Sequence, residues 1–348
     1  MAFAVNRHAL WFTAPRRVEV REAAVTPPGP GQVLVQTTVS AISAGTELLL
    51  YRGQAPAELP ADEMLPALTG NLAFPLPYGY STVGKVIAPG SGVPASFLGR
   101  TVFAFQPHAT HFTAAIGDLL VLPESIPPES AAFLPNVETA VNLLLDGQPR
   151  VGEQVAVLGQ GIVGLLVTAL LARIPLASLV AVDGFALRLQ ASLSLGATAC
   201  LDSADNDLLA QLRLHLQGDR PYPGADLTYE LTGDPAALDL AIAASGHAGR
   251  IVIGSWYGTK RAAPDLGGRF HRARLRILSS QVSTLSPELS GAWTTDRRLR
   301  FAVSLLEGLP LGDLVSHRIP FRQAPEAYRL LDEDPGRTLQ VLLTYEAD

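Results

Sequence analysis

Residues 155–164 constrain the fold of this chain more than any other stretch. An apolar, β-branched run leads into Gly159-x-Gly161-x-x-Gly164, and a helical pattern of apolar residues follows at once. A second apolar run, residues 179–182, ends at Asp183, nineteen positions after Gly164. This spacing predicts a strand, a tight turn, a helix and a second strand, which together form a unit that holds a dinucleotide.

Each glycine has a predicted role in that unit. Gly159 allows the tight turn, Gly161 lets the backbone approach a pyrophosphate, and Gly164 lets the helix pack closely on the strand. The free N–H groups and the dipole at the start of the helix favour phosphate. A Gly-rich turn of purely structural use is the alternative. The predicted cofactor contacts in this turn are Gly159, Gln160, Gly161, Ile162, Val163 and Gly164.

Asp183 bears on which dinucleotide binds. Its carboxylate would accept hydrogen bonds from the ribose hydroxyls of NAD, whereas NADP would bring a phosphate to the same place. Two unit charges about 4 Å apart repel by about 4 kcal/mol at an effective dielectric constant of about 20. The sequence therefore predicts NAD(H) over NADP(H). Arg188 is interpreted as covering the adenine or pairing with solvent, with contact to a 2′-phosphate as the alternative.

Composition sets the class of protein. With 348 residues, 48% hydrophobic and 17% charged, two folded domains are expected and disorder is not. A net charge of −6 with no basic cluster argues against nucleic acid, so a small-molecule substrate is the expected partner. Cys200 is the single cysteine, which excludes an intramolecular disulfide and a multi-cysteine zinc site. No signal peptide or membrane span is predicted, so a cytoplasmic location is expected.

The pattern along the chain changes character near residue 129. Residues 1–60 are interpreted as β-structure with turns, residues 60–78 as a loop, and residues 79–86 and 101–105 as short strands, which together suggest a small barrel or sandwich. Apolar spacings of three and four predict a helix over residues 131–145. Beyond it, strands alternate with helices, which predicts an α/β fold with a doubly wound parallel sheet. Residues 296–348 are predicted to fold back onto the first domain.

This organisation resembles the medium-chain dehydrogenase/reductase superfamily over essentially the whole chain. Its first strands are similar to residues 18–20 and 30–35, and its strand-end motifs are similar to residues 230–233 and 249–254. The resemblance implies a GroES-like catalytic domain over residues 1–136, a Rossmann domain over residues 137–284, and a return segment over residues 285–348. It also implies a homodimer formed through the edge strand of the nucleotide-binding sheet.

The chain departs from the zinc-binding members of that superfamily at each expected ligand. Ala44 stands at the cysteine position, and Tyr80 and Ser81 stand at the histidine and glutamate of the Gly-His-Glu motif. Pro135 falls at the third ligand position, and the four-cysteine lobe is missing. The resemblance is therefore to a zinc-free branch that includes proteins similar to the bacteriochlorophyllide hydroxyethyl dehydrogenase and oxidoreductases of secondary metabolism. No zinc is expected, and a site built on His108 and His111 is not expected either.

Without a metal, hydrogen-bond donors must stabilise the charge on the reacting oxygen and relay a proton. Tyr80 is predicted to donate to a carbonyl oxygen and Thr46 to relay to the ribose. The alternative for Tyr80 is a space-filler with a locally bonded hydroxyl. Glu47 is interpreted first as an acid that holds its loop, and Asn136 has helix capping as its alternative. The candidate catalytic residues are Thr46, Tyr80, Asn136 and Glu47.

Later strand ends supply the remaining predicted cofactor contacts, Thr232, Gly254, Ser255 and Gln281. The sequence as a whole predicts a zinc-independent, NAD(H)-dependent oxidoreductase that interconverts an alcohol and a carbonyl on a small organic or secondary-metabolite substrate. Reduction of an activated C=C or C=N bond is one alternative. A non-catalytic NAD(H)-binding sensor is the other.

Overall fold

The computed structural model of the protein describes residues 6–65, 67–217 and 222–346. The strands in chain order are β1 (Arg7–Ala14), β2 (Arg17–Ala23), β3 (Gln32–Ala41), β4 (Leu76–Pro77), β5 (Thr82–Pro89), β6 (Thr101–Ala104), β7 (His111–Ala115), β8 (Leu120–Val121), β9 (Gln154–Leu158), β10 (Ser178–Asp183), β11 (Ala199–Asp202), β12 (Ala225–Glu230), β13 (Ser245–Ile253), β14 (Arg276–Ser279), β15 (Val315–Pro320) and β16 (Gln340–Thr344). The α-helices are α1 (Ala44–Tyr51), α2 (Pro128–Ala131), α3 (Leu134–Gly147), α4 (Ile162–Leu171), α5 (Ala186–Ser194), α6 (Leu208–His215), α7 (Ala237–Ala244), α8 (Thr295–Leu305) and α9 (Ala324–Glu333).

The chain divides into two compact units. One comprises the residues up to Pro135 together with those from Val303 onward, and the other comprises Asn136–Ala302. Residues 285–302, which the sequence assigns to the return segment, lie in the second unit. The reason is Arg298 of α8, which is buried and donates hydrogen bonds to Glu138 and Asn142 of α3 in the same unit.

The second unit is built on a parallel sheet of six strands in the order β11-β10-β9-β12-β13-β14. Every adjacent pair in it is parallel. The first strand of the unit, β9, therefore has the second on one side and the fourth on the other. This is the doubly wound order in which ligands bind beyond the carboxyl ends of the strands where the winding direction reverses. The turn after β9 and the end of β12 lie at that point.

The first unit is β-rich. Seven strands form one sheet, with β15-β16-β3-β5-β6-β8 in order and β7 paired to β3, while β2-β1-β4 form a smaller sheet. One core packs α1 and α9 against the small sheet, and it includes Phe12, Leu50 and Tyr328. The predicted fold class, a parallel doubly wound sheet plus a separate β-rich domain, is confirmed.

Helix α1 corrects the prediction of β-structure and turns throughout residues 1–60. Its apolar run, residues 48–51, is continuous, so it has neither the alternation of a strand nor the period of a helix. A local hydrogen bond at its start helps to form the helix. The Glu47 carboxylate accepts the Ser43 N–H at 2.8 Å and fixes the first turn. Strands β11 and β15 and helix α6 are further elements that the sequence did not predict.

Among the described residues, no helix is both long enough and apolar enough to cross a membrane.

Candidate functional site

The Gly-rich turn has the geometry that its sequence predicts. Gly159 has φ +90°, and a Cβ there would lie 2.6 Å from the carbonyl carbon of Leu231. A Cβ at Gly164 would lie 2.0 Å from the Gly159 carbonyl oxygen. At Gly161, by contrast, a Cβ would meet nothing within 4 Å. Gly159 and Gly164 are therefore needed to pack the chain against itself, whereas Gly161 borders open space in front of α4.

The amino end of α4 carries a set of N–H donors that no side chain caps. Gly161 is its N-cap residue, and no side chain caps this end of the helix. The first N–H groups of a helix have no acceptor within the helix, and they carry the positive end of its dipole. The N–H groups of Ile162 and Val163 belong to this set, whereas the Ile162 side chain is buried. The residues present thus fit the pyrophosphate of a dinucleotide.

Asp183 closes this site from the end of β10. Its Oδ2 accepts the Gln160 N–H at 2.7 Å, and its Oδ1 accepts the Phe185 N–H at 3.0 Å. A carboxylate oxygen has a second lone pair, so both oxygens can still accept from outside donors such as ribose hydroxyls. Arg188 Nη1 lies 3.6 Å from Asp183 Oδ2, and its guanidinium stacks 4.7 Å from the centroid of the Phe185 ring.

Gln160 differs in role from its neighbours in the turn. Its side chain is fully buried, and its Oε1 accepts from the hydroxyls of Thr168 and Ser192 at 3.0 and 2.9 Å. It therefore joins α4 to α5 beneath the turn. These side-chain bonds, together with its N–H bond to Asp183, give Gln160 a part in shaping the turn, and its contact with a cofactor stays a prediction.

The carboxyl end of β12 carries a compact polar network. Glu230 is fully buried, and its Oε1 accepts from both the N–H and the hydroxyl of Thr232, at 2.8 and 2.5 Å. Its Oε2 accepts from the Tyr257 hydroxyl at 2.5 Å. Ser255 Oγ accepts the Gly233 N–H at 2.8 Å. Burial, followed by the bond to Glu230, raises the pKa of Tyr257 above its usual value.

Two predicted residues of that region, Thr232 and Ser255, are thus brought together, with Glu230 and Tyr257 added. The sequence did not single out the last two, although an acid that ends a buried strand is a usable signal. The other two predicted contacts, Gly254 and Gln281, stay predictions. A Cβ at Gly254 would meet the side chains of Leu231 and Leu143 at 2.6 and 2.7 Å, so this glycine serves packing. Gln281 is exposed and its Oε1 accepts the Ser283 N–H.

A buried arginine organises the α3 side of the second unit. Arg298 Nε donates to Glu138 Oε1 at 3.1 Å, and its Nη1 donates to Asn142 Oδ1 at 2.6 Å. The same guanidinium donates to the Val282 and Thr284 carbonyls. Burial, which outweighs Arg298, raises the pKa of Glu138. Asn136, a predicted catalytic residue, is buried in the first turn of α3 and belongs to this unit.

The first unit gathers three hydroxyls. Tyr80 donates to Ser43 Oγ, and its hydroxyl lies 3.3 Å from Thr46 Oγ1. Burial raises the pKa of Tyr80 to about 12, although the hydrogen bonds with Ser43 and Thr46 lower it. Tyr80 therefore stays protonated at neutral pH, and its O–H is the donor in the hydrogen bond to Ser43 Oγ. Ser43 is the member that the sequence candidates lacked, because its partner lies in a distant segment.

Glu47 lies behind these hydroxyls and is fully buried. Its Oε1 accepts the Ser43 N–H, and its Oε2 accepts from the Tyr328 hydroxyl and lies 3.1 Å from His108 Nε2. These contacts tie Glu47 to the turn before α1, to α9 and to the segment that carries His108. His108 Nδ1 lies 2.7 Å from Ser40 Oγ.

The three side chains grouped around Tyr80 are not the usual ligands of zinc. The side chains grouped around Tyr80 offer hydroxyl oxygens, whereas zinc is held by imidazole, thiolate and carboxylate. Ser81 is buried and donates to the Ala132 carbonyl at 2.5 Å. His111 Nδ1 pairs with Thr110 Oγ1 at 3.2 Å. Across residues 6–65, 67–217 and 222–346, no group of three or more His, Cys, Asp or Glu side chains is placed to hold a metal ion.

Comparisons with known proteins agree with the fold. No family model matches the chain. L-threonine 3-dehydrogenase of Stenotrophomonas maltophilia is 25% identical, over 95% of this chain and 97% of its own. The 2-desacetyl-2-hydroxyethyl bacteriochlorophyllide A dehydrogenase of Cereibacter sphaeroides is 26% identical, over 97% of this chain and 98% of its own. An alcohol dehydrogenase structure from E. coli CFT073, complexed with NADH, has a TM-score of 0.78 at 18% identity and covers 98% of this chain and 100% of its own.

The relatives are thus named as dehydrogenases, and the similarity to each extends along nearly the whole chain.

Proposed function

We propose that this protein is a zinc-independent, NAD(H)-dependent oxidoreductase that interconverts an alcohol and a carbonyl on a small organic substrate. Membership of the medium-chain dehydrogenase/reductase superfamily is part of the proposal. The observation that carries it is the cluster of Ser43, Thr46 and Tyr80 hydroxyls in the first unit. These are donors for an oxygen on which charge develops. The dehydrogenase names of the relatives support the same reaction class.

The bound cofactor would accept or deliver the hydride. The chain's part is to hold it, through the N–H groups at the start of α4 and the carboxylate of Asp183. Asp183 favours NAD(H), because a 2′-phosphate would bring like charge to a carboxylate that is already in place. The Arg188 guanidinium, which stacks on Phe185 and lies 3.6 Å from Asp183, would border the cofactor beside this carboxylate.

Tyr80 would supply the proton in the reducing direction. The Tyr80 O–H first turns from Ser43 Oγ to the substrate oxygen. The O–H bond of Tyr80 then breaks as that oxygen, which has gained negative charge, forms its own O–H bond. An alkoxide is a stronger base than a phenolate, so this transfer is downhill even from a tyrosine whose pKa is about 12. The Ser43 and Thr46 hydroxyls then turn their protons toward the phenolate oxygen and stabilise its charge.

The test is turnover on a panel of primary and secondary alcohols, ketones, aldehydes and enones with NAD(H) and NADP(H). We expect Tyr80→Phe to lower kcat about 10²- to 10⁴-fold, the contribution of a general acid, with unchanged NADH affinity. Tyr78→Phe is the matched control, since Tyr78 packs edge-on against Tyr80 at 6.2 Å and the phenyl ring preserves that contact.

Three results would redirect the proposal. Turnover of enones or imines alone would favour double-bond reduction. NADH binding without turnover of any compound in the panel would favour a sensor. Full activity of metal-free protein is expected, and activity restored only by added zinc would overturn zinc independence.

We also propose a homodimer formed through β14. This strand ends the parallel sheet within the part of the chain described, so its outer edge is open to a second copy. Light scattering should give twice the chain mass of 36.8 kDa. A monomer at micromolar concentration would contradict this arrangement.

A further inference from the structure

The Ser43 and Tyr80 hydroxyls reach each other from two separate segments. Ser43 precedes α1, and Tyr80 follows the Gly79 turn, 37 positions further along the chain. A hydrogen bond between two side chains does not by itself hold two segments at a fixed distance, because each side chain can rotate. The backbone of each segment must therefore be held by further contacts.

The Glu47 carboxylate holds the backbone of the turn that carries Ser43. Ser43 occupies the N-cap position of α1, where a serine hydroxyl usually accepts an N–H of the first turn. Here it makes no capping bond. The Glu47 carboxylate accepts the Ser43 N–H from inside the helix at 2.8 Å, and the Ser43 hydroxyl faces Tyr80. The carboxylate thus fixes the backbone of this turn while the hydroxyl is used elsewhere.

His108 holds the backbone of the segment that carries Tyr80. Its backbone N–H donates to the Tyr78 carbonyl at 3.2 Å. Its ring lies directly against Gly79, where a Cβ would come within 2.5 Å of the ring. Gly79 has φ +113°, a conformation that glycine adopts readily. A side chain at position 79 would therefore displace either the backbone next to Tyr80 or the ring of His108.

Glu47 and His108 also contact each other. His108 Nε2 lies 3.1 Å from Glu47 Oε2, and both side chains are fully buried. On the far side of the ring, Nδ1 lies 2.7 Å from Ser40 Oγ, which lies 2.8 Å from the Tyr345 hydroxyl. One order of donors satisfies every atom: Tyr345 donates to Ser40, Ser40 to Nδ1, and Nε2–H to the carboxylate. Bonds at both ring nitrogens orient the ring.

We propose that the buried Glu47–His108 pair is a positioning device that sets the distance between the Ser43 and Tyr80 hydroxyls. Glu47 and His108 are positioning residues in this account, since neither presents an atom to a substrate. The inference rests on the proposed function for its catalytic consequence, but the placement of Ser43 can be measured without any substrate.

The first experiment measures hydrogen exchange of the Ser43 amide by NMR in wild type, Glu47→Ala and Glu47→Gln. We expect exchange at least about tenfold faster in Glu47→Ala, because the amide loses its buried acceptor. Glu47→Gln should keep protection, since its amide oxygen can face Ser43 while His108 changes tautomer. Val102→Ala, in the separate core cluster beneath β6, is the control for general loss of stability.

The second experiment compares kcat on the best substrate of the panel. Glu47→Ala and Ser43→Ala should lose kcat by similar factors. The double variant should lose no more than either, because both changes remove one arrangement. Glu47→Gln should recover most of the rate. If Glu47→Ala does not fold, His108→Gln replaces it, with the crystallographic Ser43–Tyr80 separation as the readout.

The outcomes separate the two proposals. Unchanged Ser43 exchange and unchanged kcat in Glu47→Ala overturn the positioning role. Additive losses of kcat in the double variant also overturn it. If Tyr80→Phe keeps full turnover while the Ser43 amide exchanges faster in Glu47→Ala, the proposed function fails. The proposal that Glu47 positions Ser43 then still holds.

Discussion

The same substitution at two glycines of one turn should have opposite consequences. Gly164→Ala places a methyl group 2.0 Å from the Gly159 carbonyl oxygen, whereas ordinary contact begins at 3.4 Å. The obstacle is backbone, which cannot rotate away, so α4 and the turn would have to separate by more than about 1 Å. Gly161→Ala meets nothing within 4 Å and has φ −63°, which alanine adopts without strain.

The magnitudes follow from this geometry. Overpacking of a close contact costs about 1–3 kcal/mol, and a backbone obstacle places Gly164→Ala near the upper end. A gain of up to about 1 kcal/mol in helix propensity offsets part of that cost. A net loss of about 2–3 kcal/mol corresponds to a fall in Tm of about 5–10 °C for a unit of this size. Gly161→Ala should leave Tm within about 1 °C and weaken NADH binding at least about tenfold, or about 1.4 kcal/mol.

Two assays decide the matter. Scanning calorimetry without cofactor gives Tm, and quenching of tryptophan fluorescence by NADH gives Kd. If Gly164→Ala keeps the wild-type Tm, the close contact between turn and helix is not a constraint. If Gly161→Ala binds NADH as wild type does, the pyrophosphate does not lie over this residue, and the phosphate site assigned to α4 is wrong.

Three further predictions address buried charge and cofactor choice. Arg298→Met should lower the free energy of unfolding in urea by about 3–5 kcal/mol, because Glu138 is left without its partner, whereas Arg300→Met, at an exposed ion pair, should change it by less than about 1 kcal/mol. Burial raises the pKa of Asp146, so the folded state binds its proton more tightly than the unfolded state does. Stability should therefore fall as pH rises from the unfolded value of 3.8 through the folded pKa. Asp146→Asn should remove that fall, and an identical pH dependence of stability in both proteins would contradict it. Asp183→Ser should raise the Kd for NADH and lower that for NADPH, with a tenfold or larger change in their ratio, and an unchanged ratio would show that the carboxylate does not select the cofactor.

The parallel sheet and its Gly-rich turn could be predicted from sequence because their determinants are local. A glycine with φ +90° at position 159 and a helix that begins at Ile162 are consequences of residues within one short stretch. The position of Asp183 follows from the length of one helix and one strand. Helix α1 was missed because the run at residues 48–51 is continuously apolar, and its first turn is fixed by the Glu47 carboxylate.

The sequence by itself thus determined the class of fold, the place of the dinucleotide turn, and the absence of the usual metal-binding side chains at residues 44, 80 and 81. Tertiary structure alone decided which polar groups meet. Tyr80 reaches Ser43 across 37 positions, Glu47 reaches His108 across 61, and Arg298 reaches Glu138 across 160. No periodicity links residues so far apart. Such groups are brought together by the packing of whole strands and helices, and once buried they must find partners or lose the hydrogen bonds that water had supplied.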